Sequence, residues 1–132
     1  MRLVNKVIIH QSASNNSSHD DINVIRSWHK ERGFNDVGYH YFIKKNGEVQ
    51  IGRSEESVGA HCKGHNFDSI GICLSGLGEK TTDQLDSLEV LLIDICSRHD
   101  LEKKDILGHK DLAATECPGF NLHGWLATRE WH

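Results

Sequence analysis

The sequence is poor in the features that would have decided its class at once. It has one proline, one methionine and 7% aromatic residues in 132 positions. No apolar run approaches the ~20 residues that cross a bilayer, so membrane insertion is excluded as an expectation. Positive charge is not in excess: 15 Lys and Arg against 19 Asp and Glu leave a formal charge of −4. Binding to nucleic acid through bulk electrostatics is therefore not expected. The four cysteines (Cys62, Cys73, Cys96 and Cys117) form no CxxC pair. Cys73 and Cys96 fall in apolar patterns and read as small buried hydrophobes. There is no HExxH of a helical metalloprotease and no HxE…PCxxC of a zinc deaminase. Repeats, low-complexity tracts and linkers are absent. No apolar signal-peptide core follows Met1, so synthesis in a cytoplasm, with reduced thiols, is expected. The length fits one domain over 1–132.

Histidine, by contrast, is abundant, with ten residues. Two segments concentrate the chemistry. In Gly108–Phe120, His109 and Cys117 are separated by seven residues, and the sole proline, Pro118, follows the cysteine. Asp105–Gly108 reads as a short strand ending at His109. Pro118 and Asn121 read as opening a final helix, which puts Cys117 on a loop able to fold back. Imidazole nitrogen and thiolate sulfur are both good zinc ligands. A third ligand is available at His10, after the continuous apolar run Val7-Ile8-Ile9 of a central strand. Alone, His10 reads as a histidine satisfied by a backbone carbonyl; beside the downstream segment it reads as a ligand. Three protein ligands leave a tetrahedral Zn2+ one open position, the arrangement of a hydrolytic centre. The Tyr39 and Thr115 hydroxyls are candidate donors to an oxyanion. By spacing alone, a structural zinc or no metal at all remain alternatives.

The remaining elements follow from periodicity. Ser18 and Asp21 begin a helix whose Ile22, Ile25 and Trp28 form the core stripe, with His29 on the solvent face and Gly33 at its end. Asn46-Gly47 predicts a type I′ hairpin. Alternation puts Tyr39, Tyr41 and Ile43 on one face of its first strand and His40 and Phe42 on the other. Val58–Asn66 is a glycine-punctuated loop. Its His61, Cys62 and His65 make a rival metal cluster that lacks a fourth ligand, so the loop reads instead as a cleft lining, with His61 and Asn66 toward substrate. Ser69–Ser75 is a buried strand in which Gly71 marks a close backbone approach. Thr81 and Gln84 form a capping box. A long helix with a Leu85, Leu88, Leu92, Ile95 stripe follows and ends near His99. The order is strand, helix, two hairpin strands, strand, helix, strand, helix. That is an α/β domain with a mixed central sheet flanked by helices.

Several blocks then resemble one family in a single order. They are Ile8-Ile9-His10-Gln11-Ser12-Ala13, Ile25-Arg26-Ser27-Trp28-His29-Lys30-Glu31, Asp36-Val37-Gly38-Tyr39-His40, Val58-Gly59-Ala60-His61-Cys62-Lys63-Gly64, Ser69-Ile70-Gly71-Ile72-Cys73-Leu74 and Cys117-Pro118-Gly119-Phe120. From Val7 to about Trp125 the chain is similar to the type-2 N-acetylmuramoyl-L-alanine amidases, above all to the small single-domain endolysins of short-tailed coliphages. It resembles animal peptidoglycan recognition proteins more distantly. The resemblance implies zinc on His10, His109 and Cys117, and Tyr39 as a catalytic residue. It implies murein (peptidoglycan) as substrate, cut between N-acetylmuramic acid and L-alanine. It also implies an endolysin, expected as a monomer, that waits in the host cytoplasm until a holin opens the way to the periplasmic murein. The coliphage members also inhibit phage RNA polymerase, a second partner carried here as an expectation. They have a lysine two residues before the cysteine ligand, where this chain has Thr115. A murein-binding module without catalysis is the alternative; such modules typically lack the cysteine ligand.

Overall fold

The computed structural model describes residues 2–131. The elements, in chain order, are β1 (Lys6–Gln11), α1 (Ile22–Glu31), β2 (Tyr41–Ile43), β3 (Val49–Ile51), β4 (Ser69–Leu74), α2 (Thr82–His99), β5 (Ile106–Gly108) and α3 (Leu122–Ala127). Short 3-10 turns cover Ser17–His19, Lys103–Asp105 and His109–Asp111. The five strands lie in the order β3-β2-β4-β1-β5. Only the β2–β3 hairpin is antiparallel; β1 pairs parallel with both β4 and β5, and β2 parallel with β4. This is the expected mixed sheet.

The strand period of two sorts the central residues onto two faces. Val7, Ile9, Ile70, Ile72, Leu74, Ile43 and Ile106 join Leu88, Leu92 and Ile95 of α2 and Leu122 and Leu126 of α3 in the main core. Fully burying each such aliphatic contributes about 1.5–3 kcal/mol. The opposite face is thinner. There Phe42 and Cys73 pack against Ile22 and Ile25 of α1 and against Val37, with Trp28 and Tyr39 alongside. His10 pairs with Cys73 and Cys73 with Phe42, so these three form one row across β1, β4 and β2 on that face. His10 thus rises from the floor of the α1 side, one residue before β1 ends.

Local chemistry sets the ends of the elements. The Asp21 carboxylate accepts from the Asn23 amide and caps α1. Thr81 and Gln84 form the reciprocal capping box of α2. The Asn121 side chain caps α3. Pro118 lies before that helix, joined to Cys117 by a cis peptide bond, and packs near Gly108, where an added Cβ would come within 2.9 Å of its Cδ.

Four expectations need correction. His29 is buried, not solvated: the Ile22–Ile25–His29 spacing of three and four puts it on the inward stripe, while Trp28 is only half-buried against the His19 ring. The hairpin is not type I′. Lys44 and Glu48 close it through the Lys44 amide and Glu48 carbonyl, and of the loop residues Lys45, Asn46 and Gly47 only Gly47 has positive φ. That is a three-residue loop with a left-handed glycine. Tyr39 does not share a face with Tyr41 and Ile43. Ladder pairing begins at Tyr41, so the alternation does not extend back to Tyr39, which packs with Phe42 and Cys73. The close approach at Gly71 is to a side chain rather than to backbone: a Cβ there would lie 2.5 Å from His61 Cγ.

Candidate metal centre

Three separate parts of the chain bring ligand atoms together. His10 comes from β1, His109 from the turn directly after β5, and Cys117 from the loop before α3. One ligand atom of each lies within 4.8 Å of the others, and among the described residues no other such group of histidine, cysteine or acidic side chains occurs. His10 Nδ1 is 3.8 Å from Cys117 Sγ. A tetrahedral zinc with bonds of about 2.0 Å to nitrogen and 2.3 Å to sulfur needs a separation of about 3.5 Å. The donor set and its spacing therefore fit that ion. Protonation fits as well. Burial drives the His10 pKa well below its ordinary value, and burial lowers that of His109, so both imidazoles keep a free lone pair at neutral pH. The Gln11 amide donates to Cys117 Sγ at 3.1 Å, which opposes the burial that otherwise raises the thiol pKa.

His10 is aimed by a chain of hydrogen bonds behind it. His61 Nδ1 lies 2.9 Å from His10 Nε2, His61 Nε2 lies 3.2 Å from Ser69 Oγ, and Ser69 Oγ donates to the His65 carbonyl at 2.7 Å. One direction satisfies every group: His10 Nε2–H donates to His61 Nδ1, and His61 Nε2–H donates to Ser69 Oγ. His10 Nδ1 is then left as a lone pair facing Cys117. Burial holds the His61 pKa down at about 3, so this neutral pattern persists at physiological pH. His40 braces the same region. Its Nδ1 accepts from the Gly71 amide at 3.0 Å, while Nε2 is 2.8 Å from the Ser57 carbonyl.

A cavity of about 340 Å3 opens beside the three ligands. Its walls include Tyr39, Thr115, His29, Arg32, Phe34 and Glu116. Tyr39 is half-buried, its ring 5.1 Å from that of His10, and it packs against the cluster that holds the buried Cys73. Burial raises the phenol pKa well above its usual value, so the group is an O–H donor and not a base. Thr115 Oγ1 accepts from the Cys117 amide at 3.2 Å, leaving its O–H free to donate. A larger cavity of about 940 Å3 lies away from the ligands, near the end of α2. Its Glu55 carboxylate is already paired with Arg98 and His99.

Of the residues singled out in the sequence, His10, His109, Cys117, Tyr39, Thr115 and His61 all border this cavity. His61 turns its nitrogens to His10 and Ser69, behind the ligand. Asn66 does not border the cavity: its Oδ1 accepts the His61 and Cys62 amides and shapes the loop. Sequence reasoning missed His29, whose Nδ1 accepts from the Gly38 amide at 2.7 Å and whose ring stands 5.4 Å from Tyr39. The helical spacing from Ile22 and Ile25 was the available signal. Arg32 and Phe34 carried no signal, because a loop of this kind has no period.

The family model described as N-acetylmuramoyl-L-alanine amidase matches residues 1–120. The endolysin of Enterobacteria phage T3 is 39% identical over 132 residues, covering 94% of this chain and 86% of that protein. Peptidoglycan-recognition protein SC2 of Drosophila melanogaster is 35% identical over 136 residues, 94% of this chain and 72% of its own length. Among solved structures, the endolysin N-acetylmuramoyl-L-alanine amidase LysCS from Clostridium intestinale URNW aligns with a TM-score of 0.86 at 31% identity, over 96% of this chain and 83% of that one.

Proposed function

This chain belongs to the N-acetylmuramoyl-L-alanine amidase family, and from that premise we propose that it is a zinc-dependent endolysin. It hydrolyses the amide between N-acetylmuramic acid and the L-alanine of murein stem peptides, and it serves host lysis. The single observation that carries the zinc reading is the convergence of His10, His109 and Cys117 beside a cavity that also holds the Tyr39 ring.

When bound, zinc supplies Lewis acidity toward an amide carbonyl and toward water. The chain's own residues do the rest. His10 presents Nδ1 in a fixed tautomer because His61 takes up the proton on the other nitrogen. Tyr39 keeps its proton and donates a hydrogen bond to the carbonyl oxygen as negative charge develops on it. Such a bond is stronger in the transition state than in the ground state, which is the condition for accelerating the chemical step. The Thr115 hydroxyl is a second donor on the same wall. It brings no positive charge, so its stabilisation is weaker than that of a lysine at the same position.

Metal analysis of the purified chain tests the reading. One zinc per chain, absent from Cys117→Ser, is expected. A full zinc complement in Cys117→Ser contradicts the ligand set.

A further inference from the structure

The cavity wall contains one arginine that the chemistry above does not use. Arg32 is the residue directly after α1, and its amide closes the helix by bonding to the His29 carbonyl at 3.1 Å. Gly33 follows with φ +93° and turns the chain, a left-handed conformation that favours glycine. The turn brings Phe34 back beside Arg32, with the guanidinium carbon 5.3 Å from the ring centre. The His29 ring meets that of Phe34 in a T-shaped contact at 5.2 Å.

Among the described residues the Arg32 guanidinium has neither a carboxylate partner nor a side-chain or carbonyl acceptor; it stands over the Phe34 ring. The other arginines near the site differ. Arg53 gives its Nε to the Val37 carbonyl and Nη1 to the Val58 carbonyl. Arg26 is paired with Asp36. Arg32 is also the sole lysine or arginine on the cavity wall, where Glu116 is the sole carboxylate. A planar fork of five donors, oriented by an aromatic ring and unpaired at the mouth of a reaction cavity, is suited to grip a carboxylate through two parallel bonds.

We infer that Arg32 binds the free carboxylate of the second stem-peptide residue and makes the enzyme discriminate against stems in which that carboxylate is amidated. The inference rests on the amidase reading. The scissile bond lies on the L-alanine nitrogen, and two residues of extended chain reach about 7 Å. The triad and Arg32 line the same cavity of about 340 Å3, and the carboxylate of the second residue is the first charged group that follows the scissile bond along the stem peptide. An amide in place of the carboxylate loses the charge and one acceptor, and with them the two-pronged bond.

The test uses two soluble disaccharide tripeptides that differ only at that position, D-glutamate against D-isoglutamine. Zinc-loaded wild type, Arg32→Gln and Arg32→Lys are compared, together with calorimetric binding to the metal-free chain. Wild type is expected to favour the acid about ten-fold in kcat/KM, the magnitude of one good charge-assisted contact, with the difference in KM rather than kcat. Arg32→Gln brings the ratio near one and weakens metal-free binding of the acid alone. Arg32→Lys keeps part of the preference. If both substrates are cleaved with equal kcat/KM by wild type, or if Arg32→Gln retains the preference, the inference falls and the amidase reading stands. If wild type cleaves neither substrate, both fall.

Discussion

His61 Nδ1 stands 2.9 Å from His10 Nε2, on the opposite side of the imidazole from the nitrogen that faces Cys117. This relationship makes His61 a positioning residue and not a ligand. Removing it leaves His10 Nε2 buried without an acceptor and frees the ring to change tautomer. His61→Phe is expected to weaken zinc binding about 10- to 100-fold, with His61→Gln recovering part of the loss. Competition against a chromogenic chelator measures it. Gly71→Ala should do the same from beneath, because its Cβ would meet the His61 ring at 2.5 Å. The overpacking should also cost about 1–3 kcal/mol in urea unfolding of the metal-free chain. Unchanged zinc affinity in His61→Phe would remove the brace from the account.

Tyr39→Phe separates metal binding from chemistry. The ring that packs beside His10 remains, and only the hydroxyl is lost. A fall of about 10²-fold in kcat is expected, with zinc affinity at the wild-type value. Parallel losses of both would mean that the hydroxyl acts on the structure of the site and not on the reaction.

Thr115 offers the converse experiment. Thr115→Lys places a cation on the cavity wall where the phage relatives were expected to carry one. Turnover should be maintained or rise, by up to about ten-fold, since a charged donor makes the stronger hydrogen bond. A large loss would mean that the threonine, whose Oγ1 accepts the Cys117 amide, is needed to shape the ligand loop.

Stability has its own pH signature, far from the metal. Burial works against ionisation of Glu55, yet hydrogen bonds from Arg98, Tyr41 and His99 outweigh it and hold the carboxyl at about 2. The folded pKa is thus below the unfolded one. The stabilisation is complete above the ordinary carboxylate pKa of 4.5 and disappears as pH falls toward about 2. With Arg98 partly exposed and screened, Glu55→Gln should cost about 2 kcal/mol at pH 7. The gap between variant and wild type should narrow by more than half at about pH 3. Urea titrations at the two pH values check this; an equal gap at both would show that the charge contributes nothing.

Most of the fold was legible because its signals are local and periodic. The apolar run at Val7–Ile9 marked a central strand, and Thr81 with Gln84 marked the start of α2. His10 and His109 were legible from residue type and from their placement at strand ends, which a sheet brings together, and Cys117 from residue type on a loop able to fold back. What was not legible depends on tertiary packing. Trp28 and His29 are adjacent at the edge of one helical stripe, and the packing that buries His29 in preference to Trp28 is set by the sheet beneath. The face of Tyr39 is not readable from alternation, because ladder pairing begins only at Tyr41. The role of His61 required knowing that Gly71 leaves room over β4. Arg32 and Phe34 meet only because Gly33 turns the chain, and no pattern in the sequence announces that contact.

The central claim, a zinc amidase built on His10, His109 and Cys117, is tested most directly by the products of murein digestion. Purified labelled murein is treated with wild type, with chelator-stripped enzyme, with stripped enzyme given zinc again, and with Cys117→Ser, and the products are weighed by mass spectrometry. Intact stem peptides with free L-alanine amines are predicted from wild type, lost on stripping, restored by zinc and absent from Cys117→Ser. Murein binding without cleavage in the zinc-loaded wild type would make the chain a recognition module. Cleavage that survives both metal removal and Cys117→Ser would contradict the metal centre itself.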